Sequence, residues 1–359
     1  MWPCSGKYRA LDIVVFVRLS LLVAWFGLSA FVKGAVAQDI HFSQYNASPL
    51  TLNPALTGFY SGDYRITANY RSQWGSITRS FRTIAVSAEG SFLKGRMRHD
   101  YLAAGIQFFN DKAGTVELGT NYLALSAAYR KALGWKKNHA LIIGIQLSYL
   151  QQKLNGTKLI LPDQYQVTTV NPVSSQTVNS RTNPAFDLAA GLLYHAAPGQ
   201  KFNFYAGGAY YHILQPQLSF LSGSSYQIPP RYVGHAGARI QLHRRVNLLP
   251  SVLGLYQSGA WQANAGTYVQ FRLNEDDWEM PTAFALGIWS RVASPVPDAV
   301  IIGARLEYWG FAIGFSYDVN ISTLKSASEG RGAYELALIY SGKLITRGQR
   351  NLMIPCPQL

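Results

Sequence analysis

Cysteine is almost missing from this 359-residue chain, which has only Cys4 and Cys356. Cys4 lies in a stretch laid out like a cleavable leader, so one thiol is left and no intrachain disulfide is expected. The same shortage removes the raw material for zinc, iron–sulfur and Cys–His nucleophile sites. The seven histidines are scattered, at 41, 99, 139, 195, 212, 235 and 243. None falls in an HExxH or other metal-ligand spacing. His235 and His243 stand eight residues apart in one strand, ~25 Å at strand rise, too far to share an ion. There is no G-x-S-x-G elbow and no phosphate-binding loop. A non-enzymatic chain with no metal and no cofactor is the expectation. Charge is scarce as well: 14% of residues are Asp, Glu, Lys or Arg, against ~25% in an ordinary soluble domain. Beyond the leader no apolar run is long enough for a spanning helix, which needs ~20 residues. The uncharged stretch 202–230 is broken by Gly, Ser and Pro.

The leader carries Lys7, Arg9 and Arg18, an uncharged run over 19–32, then Ala35-Val36-Ala37. This is a basic region, an apolar core and a small-x-small site, so residues 1–37 read as a signal peptide cut after Ala37. Four cationic residues and one acidic residue go with it, leaving 28 and 17, a net of +11.

What the remainder has is tyrosine, glycine and alternation: 22 Tyr, 32 Gly and 13% aromatics. Alternate side chains of a strand face opposite sides. Arg65, Thr67, Asn69, Arg71 and Gln73 share one face against Ile66, Ala68 and Tyr70. Arg239, Gln241 and His243 oppose Ala238, Ile240 and Leu242, and Phe311, Ile313, Phe315 and Tyr317 alternate with Gly314, Ser316 and Asp318. Fourteen such segments are readable: 63–73, 81–92, 101–111, 117–131, 139–152, 185–196, 202–214, 232–243, 247–257, 261–273, 282–292, 299–308, 311–320 and 333–345. An even number of alternating strands, little charge and no spanning helix predict an all-β fold, a transmembrane antiparallel β-barrel over 63–345. The long connections 154–184, 215–231 and 321–332 fall on one side and the shorter 93–100, 132–138, 197–201 and 244–246 on the other. Outer-membrane barrels keep short turns in the periplasm, which predicts periplasmic N- and C-termini.

Polar faces turned inward would carry both signs. Arg65, Arg71, Arg239, Arg272, Arg305, Glu307, Asp318 and Glu335 are the candidates, with Arg291, Glu89 and Asp187 beside them. Charges in a narrow barrel are costly unless paired, so a lumen filled by ion-paired side chains is expected. The basic turns around Lys94, Arg130, Lys131 and Arg244 suit a docking surface or plain solvated turns. Nothing resembles the Arg–aromatic interleaving of a nucleic-acid site.

Residues 38–62 precede the first strand and read His41-Phe42-Ser43-Gln44-Tyr45, Ser48-Pro49-Leu50 and Asn53-Pro54-Ala55-Leu56-Thr57-Gly58. Pro49 and Pro54 bias their neighbours towards extended backbone, so this segment is expected as an extended periplasmic arm. With Arg71-Ser72-Gln73-Trp74, Asn110-Asp111-Lys112-Ala113-Gly114, Asn183-Pro184-Ala185-Phe186-Asp187, Gly314-Phe315-Ser316-Tyr317-Asp318 and the closing Cys356-Pro357, it resembles the PorP/SprF family of type IX secretion and gliding motility. The resemblance implies a non-enzymatic outer-membrane component that docks periplasmic or lipoprotein ring subunits, or retains a secreted adhesin's C-terminal domain at the surface. The alternative is a passive porin or solute channel. Phe42, Tyr45, Pro49, Leu52, Asn53, Pro54 and Trp74 are the expected partner contacts. The same aromatic and backbone groups serve equally for packing into the barrel's mouth. Residues 346–359 are read as a short tail, and lipid is an expected partner.

Overall fold

A computed structural model describes residues 39–77, 79–94, 97, 99–135, 138–155, 158–159, 180–199, 201–220, 226–274, 282–293 and 296–344. The expected leader 1–37, the tail 346–359, Cys356 and most of the 154–184 connection lie outside the described residues.

Fourteen antiparallel strands close on themselves. They are β1 Tyr64–Gln73, β2 Phe81–Phe92, β3 Tyr101–Ala113, β4 Leu118–Leu133, β5 His139–Lys153, β6 Ala185–Ala196, β7 Phe202–Tyr211, β8 Arg231–His243, β9 Val246–Gln257, β10 Ala260–Arg272, β11 Ala283–Ala293, β12 Val296–Tyr308, β13 Phe311–Asn320 and β14 Arg331–Gly342. Each pairs with its neighbour in sequence, and β1 closes the cylinder on β14, from Tyr64 opposite Gly342 to Gln73 opposite Ala333. Closure leaves no free edge, which is how strands tolerate a medium without water.

Two tight hairpins divide β9 from β10 and β12 from β13. Ser258-Gly259 and Trp309-Gly310 all take positive φ, the two-residue turn whose twist matches its strands. Of the boundaries that differ from expectation, two have a local cause. β7 stops at Tyr211 because His212 is left-handed, at φ 61°. β12 begins at Val296 and runs through Pro297, which sits opposite Val292 at a register shift; a bulge is where a strand tolerates the missing amide.

Burial alternates along every strand. Ile66, Val86, Ile106, Leu125, Ile145 and Ile302 are roughly half exposed on the outer face, while Arg65, Gln107, Gln146, Asp187 and Asp318 are buried on the inner one. An apolar band this continuous on a closed cylinder is a lipid-facing surface. Inside, Leu249, Tyr268, Ala285, Trp289 and Ile301 form one cluster. The Trp289 ring occupies space left by Gly266 and Gly287, where an added Cβ would meet it at 2.3 Å. A second cluster joins Tyr122 and Leu150 to Leu218 and Ile228 of the β7–β8 connection. That loop, with its two-residue ladder Gln217–Leu218 against Tyr226–Gln227, folds inward at its end of the cylinder.

Candidate functional site: the threaded lumen

Residues 39–62 are not an extended arm outside the barrel. They cross its interior as a chain of short helical turns, Tyr45–Ala47, Pro49–Leu52 and Pro54–Leu56. The prolines that suggested extension instead open turns: Pro49 and Pro54 take first-turn positions, where the absent amide costs nothing and the fixed φ suits the helix. Asn53 caps the last turn, its Oδ1 accepting from Ala55 N at 2.8 Å.

The direction of crossing is fixed at both ends. Asp39 N donates to Gln257 Oε1 at 3.0 Å, and the Asp39 carboxylate meets His212 Nε2 at 2.6 Å and Arg231 at 3.3 Å. These partners stand at the β7–β8 and β9–β10 end, the end of the long connections. Gly58 N donates to Glu89 Oε2 at 2.7 Å, and Tyr101 OH donates to Gly58 O at 2.8 Å. These lie at the short-turn end, where Asp63 leads into β1 beside Gly342. Asp39 therefore sits at one end of the cylinder, and the barrel's two flanks, Asp63 and Gly342, at the other. The chain threads its own cylinder.

Three kinds of contact hold the plug. Near its start, Glu335 accepts from Ser43 N at 2.6 Å and Gln44 N at 2.8 Å. Asp318 accepts from Ser43 Oγ at 2.7 Å. Arg71 pairs with Glu335 and, at 3.2 Å, with Asp318; Arg291 reaches Asp318 at 2.8 Å. Buried charges of both signs thus satisfy one another and the plug's backbone together. In the middle the wall yields space. Gly144 and Gly191 face each other in β5 and β6. A Cβ at Gly144 would stand 2.3 Å from Ala55 N, and one at Gly191 would stand 1.9 Å from Asn53 Oδ1. Asn53 Nδ2 fills this notch, donating to Leu192 O and Gly208 O, both at 3.1 Å, with His235 Nε2 at 3.0 Å. Leu52, Ala55, Leu56 and Phe59 pack there on Ile142, Leu193 and Tyr205. At the far end Arg65 binds Glu89 at 2.8 Å, behind Gly58.

The expected contacts separate accordingly. Phe42, Tyr45, Pro49, Leu52, Asn53 and Pro54 come together, but buried against the inner wall, so in this state they offer nothing to a partner. Trp74 stands apart at the long-loop rim, left-handed at φ 56°, its ring edge-on to Phe81 at 5.1 Å. Of the interior charges, Arg65, Arg71, Asp318 and Glu335 join plug contacts, while Arg305 binds Glu307 at 2.6 Å within one strand. Arg239 has no ion pair among the described residues, against expectation, and Arg272 ends β10 near the short turns. The basic turns are partly occupied: Lys131 binds Asp100 at 2.7 Å, and Arg130 donates to His99 O.

Sequence reasoning missed His212, Arg231 and Asp39. His212 Nδ1 meets Asp187 at 2.7 Å while Nε2 meets Asp39. Both ring nitrogens face carboxylates, so both carry protons. Burial opposes that charge, yet the two carboxylates overrule it and lift the imidazole to about 9. Burial likewise works to neutralise Asp39, but Arg231 and His212 hold its carboxyl well below the usual range. For the threaded segment, as distinct from these three residues, the signal in the sequence was the inward-facing glycines 144, 191 and 207, which mean little until something is known to lie against them.

A family model, type IX secretion system membrane protein PorP/SprF, matches residues 35–340. No curated protein matches in sequence. Among solved structures, the toluene transporter TbuX of Ralstonia pickettii is similar at TM-score 0.47 and 12% identity, over 82% of this chain and 92% of that one. A Pseudomonas aeruginosa FadL homologue is similar at TM-score 0.44 and 11% identity, over 80% and 92%.

Proposed function

The chain belongs to the PorP/SprF family of type IX secretion system membrane proteins, a β-barrel of the bacterial outer membrane, and from that premise we propose that it works as a closed scaffold. In this reading it is not an enzyme and does not conduct. Its short-turn rim docks machinery subunits from the periplasm, and its long-loop rim retains a secreted C-terminal domain at the surface. The observation that supports this is the threaded plug: residues 42–60 fill the lumen, and wall glycines are placed to receive them. A solute pathway would have to expel a segment anchored at both ends. Because the plug is buried, partner contacts fall to the rims and loops and not to residues 42–54.

The test is affinity capture from detergent-solubilised outer membranes. Machinery subunits or a secreted C-terminal domain should be retained by the native chain. The secreted C-terminal domain should be lost, and the machinery subunits kept, when the long loops 212–230 and 321–330 are shortened in a barrel that still migrates as folded. A large steady single-channel conductance from the native chain would instead restore the solute-channel reading.

A further inference from the structure

The outer surface is not chemically uniform around its circumference. At the long-loop end of β2 to β5, Arg82 stands opposite Lys112, Lys112 opposite Gly119, and Gly119 opposite Lys153. Lys153 in turn bridges Arg181. Alternation puts the strand members of this row on the lipid side, in the same parity as the exposed Ile84, Val86 and Phe108. Gly119 lets the row close up: a Cβ there would meet Lys153 Cγ at 3.3 Å, so the lysine stem lies across it. Neighbouring strands are ~4.8 Å apart, and like charges directly opposite repel. Among the described residues no carboxylate pairs with any of these four cations. The acid of the sector, Glu117, is shared by Arg79 at 2.6 Å and Lys158 at 3.3 Å and feels Lys112 only at longer range.

One row towards the membrane the chemistry changes to amides. Asn110 faces Asn121 and donates to it at 2.6 Å, and Asn121 faces Gln151. A row further on it is apolar and aromatic: Val86, Phe108, Leu123 and Tyr149, the last edge-on to Phe186 at 5.8 Å. Each row is ~7 Å along the strand. Over ~14 Å the wall therefore passes from acyl-like to amide to a row of cations without a contact ion pair among the described residues, the order in which a lipid presents chain, polar linker and phosphate.

We infer that this sector binds the phosphorylated headgroup of a membrane lipid. The phosphate lies among Arg82, Lys112, Lys153 and Arg181, and the linker or sugar lies on the amide row. A dianionic group between facing cations turns their repulsion into charge-assisted hydrogen bonds. The inference needs only that the barrel spans the membrane and is independent of the docking role.

Native mass spectrometry of the full chain in non-ionic detergent tests it, with lipid A carrying its phosphates and the same lipid dephosphorylated as probes. The phosphorylated form should be retained about tenfold more strongly. R82Q/K112Q/K153Q should abolish that preference, and K201Q/R244Q at the opposite rim should leave it unchanged. Should the triple variant fail to fold, K112Q alone decides, with a several-fold loss expected. Equal retention of both lipids, or a preference that survives these substitutions, overturns the inference. So does saturation by inorganic phosphate alone, which would mark a free-anion site.

Discussion

The two halves of the plug are held by opposite means. From Asp39 to Gln44 the segment is tied by carboxylates, guanidinium groups and an imidazolium, through the Asp39 carboxylate, the Ser43 hydroxyl and backbone amides. From Leu50 to Phe59 it is tied by apolar side chains and by the notch at Gly144 and Gly191, which only this shape fits. The first half is therefore sensitive to charge and pH. The second decides whether the barrel can close around its own chain at all.

The largest effect is expected at the notch. In Gly144→Val the new side chain meets backbone atoms of Pro54 and Ala55 within 2.5 Å, and overpacking against backbone costs about 3 kcal/mol or more. The plug should be displaced, seen as a steady conductance in planar bilayers where the native chain should show none. Glu335→Ala comes next. It strips the acceptor from two amides and leaves Arg71 to Asp318 alone, at a cost of about 3–4 kcal/mol, read from the temperature at which heat-modifiable gel migration is lost. Asn53→Ala removes a cap and the donors to two wall carbonyls, for about 2 kcal/mol by the same assay. If the two halves are independent, the Glu335 and Asn53 losses add; a large coupling term would show that the plug is held as one unit.

The smallest effect is that of pH on the clasp. The His212 imidazole is raised in the folded state to about 9. Its contribution is therefore complete below the unfolded value of ~6.5 and is lost as pH rises through 9. Since Asp39 is at the end of the segment, the result should be local fraying, with little shift in global stability. Proteolysis near residues 39–42 should accelerate above pH 9, and His212→Gln should remove that dependence.

The barrel was legible because lipid outside and packing inside impose period two on every strand, so Phe311 to Tyr317 or Arg65 to Gln73 declare their faces locally. The plug was not. Pro49 and Pro54 carry the same local meaning in an extended arm as at the start of a helical turn. Part of what chooses between them is Glu335 and Asp318, which bind Ser43 from more than 270 residues away in sequence. The interior acids could be named, but not that Glu335 and Glu89 also accept from backbone amides of the plug. Asp39 and His212 carried no pattern at all; their meeting is a product of threading.

Threading itself is the central claim, and labelling from one side of the membrane tests it most directly. In a background with Cys4 and Cys356 changed to serine, single cysteines are placed at Asp39, at Lys325 in the β13–β14 connection and at Leu344 after β14. A membrane-impermeant maleimide applied to intact cells should treat the Asp39 and Lys325 positions alike, and the Leu344 position oppositely. Reaction of the Asp39 position together with Leu344, and not with Lys325, would contradict the account.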